Sequence, residues 1–141
     1  MHIRVERDAL AQAVTWAART LPSRPSMPVL SGVMLIADQD SLTLSSFDYE
    51  VSARVQLNVD VIEIGKVLVS GRLLADITKA LPAAPVVLKL EGNRVLIECG
   101  RSSFTLPTLP VEDYPALPDM PTTAGSVDGD VFSEAVAQVA I

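Results

Sequence analysis

The sequence predicts an α+β fold of duplicated halves, each a strand, a helix and three strands, with antiparallel sheets and the two helices on one face. Three observations predict it. The hydrophobic period switches from two to about 3.6 and back, twice along the chain. Runs rich in Val, Leu and Ile are cut by Asp, Asn, Gly and Pro. An offset of 64 lays Val5 on Val69, Leu10 on Leu74, Ala13 on Ile77 and Ala17 on Leu81, a repeat of roughly 60 residues carried by apolar positions.

The first half opens with Ile3 and Val5 alternating with His2, Arg4 and Glu6, a half-buried strand. From Arg7 to Thr20 the spacing becomes helical, with Leu10, Ala13, Val14 and Ala17 on one stripe and Asp8, Gln12, Thr15 and Arg19 on the other. Asp8 in the first turn and Arg19 in the last suit the helix dipole. Pro22, Pro25 and Pro28 break the helix and stiffen the segment LPSRPSMP. Strands are then expected over 29–37, 41–47 and 49–59, with a hairpin at Asp38-Gln39-Asp40. The second half repeats the pattern. A strand at 67–70 leads into a helix over 72–81, with Leu73, Leu74, Ile77, Ala80 and Leu81 inward and Arg72, Asp76 and Lys79 outward. Pro82 and Pro85 end it, and strands over 86–90, 95–99 and 103–106 come next, the first two joined by a turn at Glu91-Gly92-Asn93.

A second offset, of 122, lays Val5 on Val127, Asp8 on Asp130, Leu10 on Phe132, Ala13 on Ala135 and Val14 on Val136. The stretch before it carries prolines at 110, 115, 118 and 121, as an interdomain linker does. The expected organisation is one domain over 1–120 and the start of a second copy over 121–141. An apolar helical stripe running to Ile141 without a cap reads as a truncated chain.

Composition narrows the function classes. With 49% apolar and 4% aromatic residues, aliphatic side chains must fill the core. No stretch reaches the roughly 18–20 apolar residues of a membrane span, and a lone cysteine asks for no oxidising compartment; a cytoplasmic protein without membrane contact is expected. The net charge of −6 argues against gripping nucleic acid through overall basicity, though a local basic face remains open. No catalytic constellation stands out, so no catalytic residue, metal or cofactor is expected. His2 reads as a solvated strand end, Cys99 as buried filler in step with Val95 and Ile97, Asp48 and Glu50 as turn residues, and Trp16 as core or flank packing. There is no zinc spacing and no phosphate-binding glycine loop.

Six segments in series, VERDAL, LPSRPSMPVLSGV, FDYEVSA, VSGRLLADITKALP, EGNRVLIECGRSSFTLPTLPVEDYP and SVDGDVF, resemble the bacterial DNA polymerase sliding clamps (the beta processivity subunit) in order and spacing. The nearest likeness is to those of high-GC Gram-positive bacteria. The resemblance implies a DNA-clamp fold and a ring-shaped homodimer of three similar domains per subunit. Such a ring encircles duplex DNA, with helices lining the hole, and tethers the replicative polymerase without catalysing anything itself.

That function needs weak attraction to phosphates and no reading of bases. The outward helix stripes carry Arg7 and Arg19 on one helix and Arg72 and Lys79 on the other, and the resemblance turns them toward DNA. It also places a backbone-contacting cation at Arg24, between Pro22 and Pro25. Ordinary solvated helix faces and a solvated loop arginine are the plainer alternatives. Phe104 and Leu106, on the last strand, would belong to the subunit interface, where this edge pairs with the neighbouring subunit; against that, both could face this domain's own core. Polymerase and clamp loader would be met through domains absent from these 141 residues. The rival reading is a stand-alone β-rich interaction domain that pairs through its exposed edge and does not encircle DNA.

Overall fold

A computed structural model describes residues 1–21, 28–47, 51–115 and 122–139. Strand β1 (His2–Val5) runs directly into helix α1 (Arg7–Ala18). A turn of 3-10 helix at Pro28–Ser31 precedes β2 (Gly32–Asp38), followed by β3 (Ser41–Phe47), β4 (Ser52–Asn58), β5 (Asp60–Glu63) and β6 (Gly65–Ser70). Helix α2 (Gly71–Ala80) leads to β7 (Val86–Glu91), β8 (Arg94–Cys99) and β9 (Ser102–Leu109). A second 3-10 turn at Val111–Asp113 and helix α3 (Gly129–Val139) complete the described elements.

Every strand pairing is antiparallel, in the order β4-β3-β2-β6-β9-β8-β7-β1-β5. The two halves exchange their first strands. β1 pairs with β7, setting Val5 against Val86 and Ile3 against Leu88, while β6 pairs with β2, setting Val69 against Val33. Each half therefore completes its sheet with a strand from the other, and neither half has a full sheet alone. The offset of 64 is visible as this reciprocal pairing.

One core holds the fold. Ile3 and Val5 from β1, Leu10, Val14 and Ala17 from α1, Leu74 and Ala75 from α2, and Leu88, Ile97 and Leu106 from the second half share a single buried cluster. Alternation along β2 splits its side chains: Val33, Leu35 and Ala37 enter this core, whereas Met34 joins Val29 and Leu68 in a smaller cluster on the other face, capped by Leu109, Val111 and Tyr114.

Helices α1 and α2 lie side by side and antiparallel. Arg7, at the start of α1, donates from Nη2 to the Lys79 carbonyl at the end of α2, 3.4 Å away. Leu21, just past α1, packs so closely on Gly71 that a Cβ there would collide with Leu21 Cδ1 and sit 2.8 Å from Val33 Cγ2. The C-terminal end of α1 is tied to β3: Ser46 Oγ donates to the Ala17 carbonyl at 2.9 Å and also bonds the Thr20 hydroxyl.

The structure corrects several expectations. Helix α1 ends at Ala18, so Arg19 is its C-cap rather than part of its last turn. The segment expected as a strand from Val29 begins as a 3-10 turn. The long strand expected over 49–59 starts at Ser52 and gives way to a separate β5, whose pairing with β1 no local pattern announced; residues 48–50, with Asp48 and Glu50, lie outside the described residues. On α2, Leu73 is 46% exposed and Ala80 is exposed, while Ala75 and Thr78 take the inward places. Trp16 is not core: it is 52% exposed. Residues 122–128 form no strand. A strand needs a neighbour to satisfy its backbone, and none pairs with them among the described residues. Both hairpin turns stand, with Gln39 at φ 51° and Gly92 at φ 61°.

Candidate functional site

The paired helices present their outward stripes together because their inward stripes are taken by the core. Arg72 and Lys79 stand exposed on α2, and Arg19 is exposed at the end of α1. None of the three makes an ion pair among the described residues. The antiparallel packing sets Arg19 near the start of α2, where Arg72 is, and Lys79 beside the start of α1. Three unpaired cations are thus spread along one face. Asp76 on the same stripe and Asp8 on α1 dilute the charge, so the face attracts anions weakly.

Arg7 is different. Its Nη1 is 2.9 Å from Asp8 Oδ1, its Nη2 is engaged by the Lys79 carbonyl, and its Nε is buried without a partner among the described residues. It ties α1 to α2 rather than standing free. Arg24 lies outside the described residues.

Strand β9 carries the other expected pair. Leu106 is 2% exposed and belongs to the domain's own core, whereas Phe104 packs against that core only in part. β9 is flanked by β8 along its length, but its pairing with β6 is confined to Thr108 and Leu109. The Thr108 amide donates to the Asn93 carbonyl at 3.0 Å. Ladder alternation then directs the backbone groups of Phe104 and Leu106 toward β8 and those of Ser103, Thr105 and Pro107 away from it. That outward run has no strand beside it among the described residues. The edge is open where α2 begins and β6 has ended, which no local sequence pattern could show.

The chemistry-bearing residues elsewhere are occupied structurally. Cys99 is buried, its Sγ 3.3 Å from both the Pro82 and Ala84 carbonyls. His2 is half-buried on β1. Burial pushes the Tyr114 phenol from 10.0 up to about 12, partly offset by the backbone of Phe47. Among the described residues no three His, Cys, Asp or Glu side chains group as metal ligands do, and no helix is long and apolar enough to cross a membrane.

The family model described as "DNA polymerase III beta subunit, N-terminal domain" matches residues 1–118. The beta sliding clamp of Streptomyces coelicolor is 62% identical over the whole chain, which covers 38% of that relative, and that of Micrococcus luteus is 53% identical, with 46% covered. The chain thus spans less than half the length of these relatives. Among solved structures, the DNA polymerase III subunit beta of Pseudomonas aeruginosa superposes with a TM-score of 0.87 at 31% identity, over 97% of this chain and 38% of that one. With the reciprocal strand exchange, the paired helices and these likenesses agreeing, the chain belongs to the bacterial beta sliding clamp family and matches its N-terminal domain.

Proposed function

We propose that residues 1–120 act as the first domain of a DNA sliding clamp, with 121–141 opening a second domain of the same kind. The assembled ring is a homodimer that encircles duplex DNA in the cytoplasm and tethers the replicative polymerase, without chemistry of its own. The polymerase and the clamp loader engage parts of the ring beyond these residues. The observation that carries this reading is the antiparallel helix pair, whose outward face holds Arg19, Arg72 and Lys79 without ion pairs among the described residues. Such a face meets phosphates without reading bases, as sliding requires. Arg24, between Pro22 and Pro25 in the sequence, adds a contact to the DNA backbone. Arg7 contributes through the helix pair it holds together, and Phe104 and Leu106 mark the strand that meets the neighbouring subunit. The stand-alone interaction domain is the second reading, favoured by the open edge of β9.

Duplex binding by the chain at low salt, measured by fluorescence anisotropy, tests this. Removing one cation from a phosphate reduces the slope of log K against log salt by about 0.9. The Arg72→Ala, Lys79→Ala double variant is expected to flatten that slope by about two units, equally for any DNA sequence. An unchanged slope would remove the helix face from the DNA-binding surface.

A further inference from the structure

We propose that Asp76 limits how tightly the helix face holds duplex DNA, acting as a repulsive contact set between two attractive ones. The proposal rests on reading the helix pair as the DNA-facing surface and adds a residue that tunes its grip. Arg72, Asp76 and Lys79 follow one another along the outward side of α2, and all three are exposed. At roughly 1.5 Å of rise per residue, Asp76 stands about 6 Å along the axis from Arg72 and about 4.5 Å from Lys79. Both lie inside the screening length of about 10 Å at 0.1 M salt. A phosphate drawn to either cation is therefore within the field of the carboxylate as well.

Spacings of four and three residues are those at which a helical carboxylate can close an ion pair with Arg or Lys. Asp76 closes neither pair among the described residues, so its charge is not neutralised within the helix. Asp8, the other carboxylate on the outward stripes, is held by Arg7 at 2.9 Å. Asp76 is thus the carboxylate of this face left to meet phosphates. It takes no part in the packing of α2, whose inward places belong to Leu74, Ala75 and Thr78. A face that must let duplex pass is served by such a residue. Cations alone would deepen each resting position along the backbone, and an interposed anion makes it shallower without adding any base contact.

Anisotropy of a fluorescein-labelled duplex, titrated with the 141-residue chain at about 0.1 M salt without divalent cations, tests the idea. Asp76→Asn is expected to tighten binding about threefold and Asp76→Lys about tenfold, since the second reverses the charge that the first removes. Glu98→Gln and Glu98→Lys make the same changes of net charge on the opposite face of the sheet. Glu98 stands exposed there, between the buried Ile97 and Cys99 of β8. These controls should change binding by less than about 1.5-fold. The gain at Asp76 should also fade as salt is raised. Equal gains at the two positions would show a response to net charge alone and overturn the role of Asp76, as would no gain at Asp76. Either result alongside a flattened salt slope in the Arg72→Ala, Lys79→Ala variant removes Asp76 and keeps the DNA-facing helix pair. An unchanged slope in that variant removes the face, and the role of Asp76 falls with it.

Discussion

At the scale of single residues, apolar and polar side chains alike are placed by where their neighbours leave room. Phe104 and Leu106 point to the same face of β9, yet Leu106 is sealed in the core and Phe104 keeps part of its ring outside. Arg7 and Arg72 look equivalent in the helical pattern, but among the described residues Arg7 is ion-paired and Arg72 is not. Tyr114 shows the same dependence on context. Its ring caps the smaller apolar cluster, and its hydroxyl is buried there without a hydrogen-bonding side chain among the described residues. The folded chain holds the phenolic proton more tightly than the unfolded chain does. That contribution is fully present below pH 10.0 and is lost as the pH rises toward about 12. Urea midpoints of wild type and Tyr114→Phe should run parallel at lower pH and separate between these values, the wild type falling faster. Curves that stay parallel would show that the phenol is not buried in solution.

At the scale of elements, the helix pair is held by close approach more than by polar links. α2 is capped at its start by Ser70, whose Oγ accepts from the Leu73 amide at 3.4 Å. Its first residue, Gly71, lies under Leu21 and Val33. An added methyl there meets Leu21, which can swing, and Val33, which sits fully buried in β2 and cannot. Overpacking of this kind costs about 1–3 kcal/mol, against a gain of at most about 1 kcal/mol from replacing glycine in a helix. Gly71→Ala is therefore expected to lower stability by about 1–2 kcal/mol in urea unfolding. A stabilised variant would mean that the two helices stand farther apart than described.

For the whole molecule, the reciprocal exchange of β1 and β6 makes the halves interdependent, so β1 to β9 are expected to unfold as one unit. α3 stands outside that unit. None of its residues is buried, although Val131, Phe132, Val136 and Val139 form an apolar stripe. An isolated helix of eleven residues is marginal in water. Amide exchange over 129–139 is accordingly expected to approach the rate of an unstructured peptide, while Leu35, Leu68 and Val69 in the central strands exchange only through global unfolding. Strong protection of α3 would show that its apolar stripe is covered in solution.

What was legible in the chain is what local periodicity encodes. The α+β class, the repeat at an offset of 64, the helix stripes around Leu10 and Leu74, and the turns at Gln39 and Gly92 all come from side-chain spacing and backbone preference. These are interactions between near neighbours in sequence. The family resemblance used the same information, since the segments that carry it are ordered along the chain. What depended on distant parts meeting was not legible. β5 exists because β1 offers it an edge, Trp16 is exposed because no described element covers that flank of α1, and Leu73 faces out because Ala75 and Thr78 suit the closer approach to α1 and the sheet. The candidate site divides the same way. Periodicity placed Arg72 and Lys79 outward, but that Arg7 is tied to the Lys79 carbonyl and that β9 stays open beside Thr105 were decided by the packing of α1 on α2 and by β6 ending where α2 begins.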